Sequence, residues 1–255
     1  MTSSASSACC PDGSHAMALT IVPLTLGGFD DLPKHVRRCV YWEVAPEAET
    51  LMDTEFDKEA WLSMLMLEWG SCGQVAIAHA PDGTSRFVGV AFYAPPRSVP
   101  RAGTFPTAPV SPDAVLLTWV GAEPGVEERV REELVTAVCT DLVRRGVRAV
   151  EAFGLLTPVG QSTESVAAQI DCGACGCKTA PLTDADFLER MGFETVAPHH
   201  RYPRMRLELS EGLGWKAGVE HALEQLLAAG TAEAALREAL EGTEDPAAPV
   251  CRAED

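Results

Sequence analysis

The chain has 255 residues, 46% hydrophobic and 22% charged, an ordinary globular balance and enough for one well-buried core. Its 37 acidic against 20 basic side chains give a net charge of −17, which argues against broad binding to nucleic acid or anionic membrane, because each phosphate contact needs a local cation. No apolar run reaches the roughly 18 to 20 residues of a transmembrane helix, and nine scattered cysteines do not make a secreted disulfide framework.

The first 18 residues, MTSSASSACCPDGSHAMA, have neither a basic region nor an apolar run before Cys9, so they carry no secretory signal. They are expected to be a disordered tail, and the chain is expected in the cytoplasm. Leu19 to Thr25 is β-branched and runs into Gly27 and Gly28, which predicts a first strand with Pro23 tolerated at a sheet edge. From Phe29 to Trp42, Leu32, Val36, Cys39 and Val40 recur at helical spacing. A second helix is expected from Thr54, as N-cap, to Trp69, with Trp61, Leu62, Leu65, Met66 and Trp69 on one stripe.

Gln74 to Ala80 and Ser85 to Ala94 are apolar runs joined by Pro81, Asp82, Gly83 and Thr84, a hairpin signal. A Pro-rich loop, 95–112, breaks all periodicity before the apolar strand Ala114 to Val120. A helix from Val126 to Arg145 repeats Val126, Val130, Leu134, Val138 and Leu142 on one face and stops at Gly146. With the strand Val147 to Phe153 it forms a strand, helix, strand unit, normally a right-handed parallel crossover.

A second loop, 155–181, holds Cys172, Cys175 and Cys177 at C-x-x-C and C-x-C spacing. Three readings stay open for it: a metal site completed by Cys39, His199 or His200, a redox dithiol, or a Gly-rich loop with incidental thiols. A short helix capped by Thr183 runs to Met191, and the strands Phe193 to Ala197 and Tyr202 to Leu209 follow. Residues 211–242 predict a C-terminal helical extension, with Val219, Ala222, Leu223, Leu226 and Leu227 on one face, and 243–255 a disordered acidic tail.

This order of elements resembles the GNAT (GCN5-related N-acetyltransferase) superfamily over about residues 19–210. FLERMGFE at Phe187 to Glu194 is similar to the family's short helix with its Gly-Phe turn, and Leu116 to Phe153 to its cofactor-binding strand, loop and helix. The resemblance implies an α/β (α+β) fold, with a mixed, mostly antiparallel sheet of six to seven strands flanked by helices. It also implies acetyl-CoA as cofactor and a small-molecule or protein amine as acceptor, with transfer of acetyl to a primary amine.

By that resemblance Trp119, Val120 and Gly121 line the pantetheine, and Val126, Glu127, Glu128, Arg129, Val130 and Arg131 lie at the pyrophosphate. The family's loop has two glycines where this chain has Arg129 and Arg131, so the backbone cradle of a helix N-terminus is altered. Arginine forks offer an alternative grip on phosphate; residues 129–148 hold five arginines against three acids. The family's proton-donating tyrosine falls on Leu188, leaving Tyr202 as the nearby phenol. Glu123 and Glu151 are candidate bases, with His79 a third. A second reading is a GNAT fold kept without transfer, as a CoA sensor or protein-interaction module; a third is a metal-binding regulator built on the cysteine loop.

Overall fold

The computed structural model describes residues 18–45, 53–123, 127–158, 160–168, 170 and 181–209. The N-terminal residues up to 17, the cysteine loop at 171–180 and everything beyond 209, including the expected C-terminal helices and acidic tail, lie outside the described residues.

The strands are β1 (Ala18–Pro23), β2 (Gly73–His79), β3 (Ser85–Ala94), β4 (Ala114–Ala122), β5 (Ala149–Leu155), β6 (Thr183–Asp184), β7 (Glu194–Ala197) and β8 (Arg204–Glu208). One sheet runs β1-β2-β3-β4-β5-β8-β7, and the two residues of β6 pair with β5 off that path. The β4–β5 and β5–β6 pairings are parallel and the rest antiparallel, so the sheet is mixed and mostly antiparallel, as expected, with β6 as an additional strand. Pro23 sits on the edge strand β1, where its missing N–H breaks no interior ladder.

Side chains alternate along the central strands and feed two cores. Phe92, Ala94, Leu116, Ala149, Phe153 and Leu155 face one layer, packed with Val36 of α1 (Lys34–Arg38) and Leu62 and Leu65 of α2 (Thr54–Glu68). Ala91, Tyr93, Val115, Leu117, Val150 and Ala152 face the other. There α3 (Glu127–Arg144) buries Val130, Leu134, Val138 and Leu142, and α5 (Ala185–Arg190) buries Phe187 and Leu188. Being covered on both sides explains why β3, β4 and β5 are nearly continuous apolar runs. The first turns of α3 lie very close to the sheet at Gly89. A Cβ there would sit 2.7 Å from Cγ1 of Val130 and 2.9 Å from the Gly121 carbonyl oxygen.

Several expectations change in detail. The helix expected over 29–42 is confined to Lys34–Arg38, because Pro33 keeps Leu32 out of helical geometry; Pro33 itself takes the N-cap place. Asp53, not Thr54, caps α2, accepting from the N–H groups of Glu55 and Phe56. Likewise Asp184, not Thr183, caps α5 by accepting from Phe187 N–H, while Thr183 is in β6. The second loop contains a further short helix, α4 (Thr163–Ala167).

The Pro-rich loop is built rather than loose. It forms two 3-10 turns, Pro96–Ser98 and Pro100–Thr104, and buries Val99, Ala102, Phe105 and Val110. Its carbonyls are also claimed: Trp61 Nε1 donates to Ser98 O at 2.8 Å and Arg204 Nε to Thr107 O at 2.8 Å. Proline lowers the entropy that ordering such a segment costs.

Candidate functional site

Among the described residues the parallel pairing of β4 with β5 breaks off early. β4 and β5 share only three ladder positions, Ala114↔Ala149, Val115↔Val150 and Leu116↔Glu151. Beyond them β4 continues to Ala122 paired with β3 alone, and β5 continues to Leu155 without it. Gly154 and Leu156 donate to Pro203 O and Arg201 O on the β8 side at 2.9 and 3.0 Å. The two residues of β6 therefore occupy the opposite edge of β5, the edge β4 has left. A wedge results, with Leu117–Ala122 as one wall and β5 with β6 as the other.

On the β4 wall Trp119 is half-buried, stacked on Phe92 with ring centroids 6.1 Å apart and edge-on to His35 at 6.3 Å. Gly121 leaves room for that indole: a Cβ there would meet Trp119 Nε1 at 3.0 Å. Val120 points into the α3 core. Glu123 follows the strand at the wide end of the wedge, held to β3 by its N–H bond to Val88 O at 2.8 Å.

Above the wide end begins α3. Val126 lies outside the described residues, and Glu127 is the first helical position. Glu128 pairs with Arg190 of α5 at 2.7 Å, and Arg129 reaches along the helix to Glu133 at 3.6 Å. Val130 is buried against Gly89. Arg131 sits over Phe187, its guanidinium carbon 3.8 Å from the ring centroid, and Arg190 is over the same ring at 5.8 Å. Arg131 and Arg190 are thus gathered over Phe187 near the start of α3, whereas Arg129 is directed along the helix to Glu133. Sequence reasoning missed Arg190 and Phe187; their signal was the FLER half of the motif, valued for its turn rather than its charge.

The candidate acid–base residues are placed differently from one another. Glu151 has no solvent exposure; one oxygen accepts from Arg206 at 3.1 Å, the other from Ser111 N–H at 3.2 Å and from Arg204. Burial pushes its carboxyl up, but the bonds from Ser111, Arg204 and Arg206 outweigh burial and hold it below the ordinary carboxylate range. It sits at the closed end of the wedge and ties the Pro-rich loop to β5 and β8. Leu188, at the family's tyrosine position, is buried on the α3 side.

Tyr202 packs on the other side, edge-on to Phe105 at 5.6 Å and parallel to His199 at 6.0 Å. Leu188 and Tyr202 are therefore on opposite faces. His79 bridges two hydroxyls on the outer strands, Ser85 Oγ at 2.7 Å and Thr20 Oγ1 at 3.1 Å, away from the wedge. Nδ1 of His199 accepts from the N–H groups of Arg201 and Tyr202, which occupies it as a turn acceptor. Among the described residues no group of three or more His, Cys, Asp or Glu is arranged to hold a metal ion.

No protein-family model matches the sequence, and no curated protein does. In structure the chain is similar to GNAT acetyltransferases. A putative acetyltransferase from Salmonella typhimurium with its cofactor acetyl-CoA is 16% identical at a TM-score of 0.44, over 76% of this chain and 95% of that one. An N-acetyltransferase from Staphylococcus aureus Mu50 is 9% identical at 0.43, over 76% and 99%. A GNAT family N-acetyltransferase from Escherichia coli in complex with CoA is 12% identical at 0.40, over 79% and 87%.

Proposed function

We propose that the chain is an N-acyltransferase that moves acetyl from acetyl-CoA to a primary amine on a small-molecule or protein acceptor. The observation that carries this reading is the departure of β4 from β5 after three ladder positions. On the side facing β5, the backbone of Leu117–Ala122 has no strand partner among the described residues. Its N–H and C=O groups are therefore available to the two amides of a pantetheine arm, which would add to the sheet edge much as a peptide does.

The cofactor, when bound, supplies a thioester-activated acetyl group. Arg131 and Arg190 supply the charge that holds its pyrophosphate, in place of the glycine cradle the chain lacks. Of the candidate bases, Glu123 at the wide end receives the amine proton, while Glu151 is committed to two arginines and serves to position the Pro-rich loop. Tyr202 stands beside that loop as the candidate proton donor. The −17 charge favours a cationic amine as acceptor.

A second reading, cofactor binding without transfer, is favoured by one observation: Leu188, which cannot donate a proton, fills the place of the expected phenol. Thiol release from acetyl-CoA, measured against a panel of primary amines, separates the two. Transfer predicts amine-dependent release, with Arg131→Ala plus Arg190→Ala weakening cofactor binding by about tenfold or more, the worth of a charged hydrogen bond. Calorimetric binding without release selects the second reading. No binding at millimolar acetyl-CoA sinks both.

A further inference from the structure

At the far end of the sheet from the wide mouth of the wedge lies a cavity of about 550 Å³. Its apolar surface comes from Trp69 at the end of α2, Val110 and Val115, together with prolines of the Pro-rich loop; its charge comes from Arg97 in that loop and Arg148 just before β5. A volume of this size is that of an ordinary small-molecule site. The walls are well fixed. Trp69 is held under the Arg145 guanidinium at 3.6 Å, and Arg145 also donates to Trp69 O and Ser71 O at 2.7 Å.

Of the three charged residues that line the cavity, Arg97, Asp113 and Arg148, Asp113 alone is ion-paired among the described residues. Asp113 is claimed by both nitrogens of Arg206, at 3.1 and 3.0 Å, and Asp141 by Arg145 and Arg144 at 3.2 and 3.5 Å. At the C-terminus of α3, Gly146 and Val147 donate to the carbonyls of Val143 and Leu142, which caps that end. Arg97 and Arg148 have no hydrogen bond or ion pair among the described residues. Arg148 acts only at a distance, adding to the Arg206 hydrogen bonds that hold the Asp113 carboxyl below its ordinary range. Both side chains are exposed, and they put two positive charges on one largely apolar cavity in a chain of net charge −17.

We infer that this cavity is a second small-molecule site, which takes an organic anion: a carboxylate or similar group held by Arg97 and Arg148, and an apolar body lying on the proline, valine and tryptophan walls. The inference is independent of acyl transfer. The cavity touches the first residues of β4, Ala114 and Val115, whereas the wedge begins beyond Leu116.

The probe is 2-naphthoate, titrated calorimetrically into the full chain beside its uncharged twin, 2-naphthamide. The site predicts that the acid binds at least about tenfold more tightly than the amide, a difference that shrinks with salt. Arg97→Ala plus Arg148→Ala abolishes the preference while moving the thermal midpoint little, since the one interaction lost is the attraction at a distance between Arg148 and Asp113, which Arg206 still pairs. Saturating acetyl-CoA leaves naphthoate binding intact. Equal affinity for acid and amide, no naphthoate binding up to about 5 mM, or full binding by the double variant each overturns the proposal.

Discussion

Replacing Glu151 with alanine is expected to cost about 3 to 5 kcal/mol of folding stability, the range for breaking a buried ion pair by removing one partner. The loss is large because one carboxylate serves three donors on two elements: Ser111 in the Pro-rich loop, and Arg204 and Arg206 on β8. Without it two mostly buried guanidinium groups lose the acceptor they share, and the backbone N–H of Ser111 loses its own. For a chain of this size the thermal midpoint should fall by roughly 10 °C. Glu151→Gln, which keeps the shape, should fall less.

The same carboxylate makes a pH prediction. Its folded pKa is depressed below the unfolded value of about 4.3, so the unfolded chain takes up the proton first as acid is added. The stabilisation is complete above about pH 5 and is lost as pH falls through the folded pKa. Denaturation curves of the wild type and Glu151→Gln should therefore converge in acid. Parallel pH dependences would mean that the ion pairs contribute nothing to stability.

The second large effect concerns Lys58 and Glu43, which pair beneath α2 with both side chains almost wholly buried. The ammonium sits 4.4 Å from the centre of the Phe92 ring, and the other Glu43 oxygen accepts from Trp42 N–H at 3.2 Å. Burial pushes the neighbouring Cys72 thiol up to about 12, with Lys58 opposing it. Lys58→Met leaves an uncompensated carboxylate and should cost about 3 to 5 kcal/mol, whereas Lys58→Met with Glu43→Leu should recover most of it. Phe92 carries Trp119 on the wedge wall. Acetyl-CoA affinity should accordingly drop in the single variant and return in the double one. Additive losses of stability would show that the two charges do not depend on each other.

The elements with strong periodicity were legible in the sequence. β3 matches its expected bounds, Ser85–Ala94, and α3 and α5 are found within a few residues of theirs, because long apolar runs and helical stripes report burial directly. Pro33 was the readable signal that shortened the first helix. The wedge was not legible, since nothing in LLTWVGA says where a parallel ladder ends, and β6, which takes up the edge of β5 at Gly154 and Leu155, is two residues without a pattern of their own. Nor does spacing show that Glu151 meets Arg204 and Arg206 across the sheet, or that Arg190, 59 positions after Arg131, shares a phenylalanine with it. Those placements are set by tertiary packing.

The most direct measurement is backbone hydrogen exchange with and without acetyl-CoA. If the wedge takes the cofactor, protection should appear in Leu117–Glu123 and in the first turn of α3, and β1 and β2 should be unchanged. Protection elsewhere, or none at saturating acetyl-CoA, would contradict the assignment of the wedge as the acyl-CoA slot.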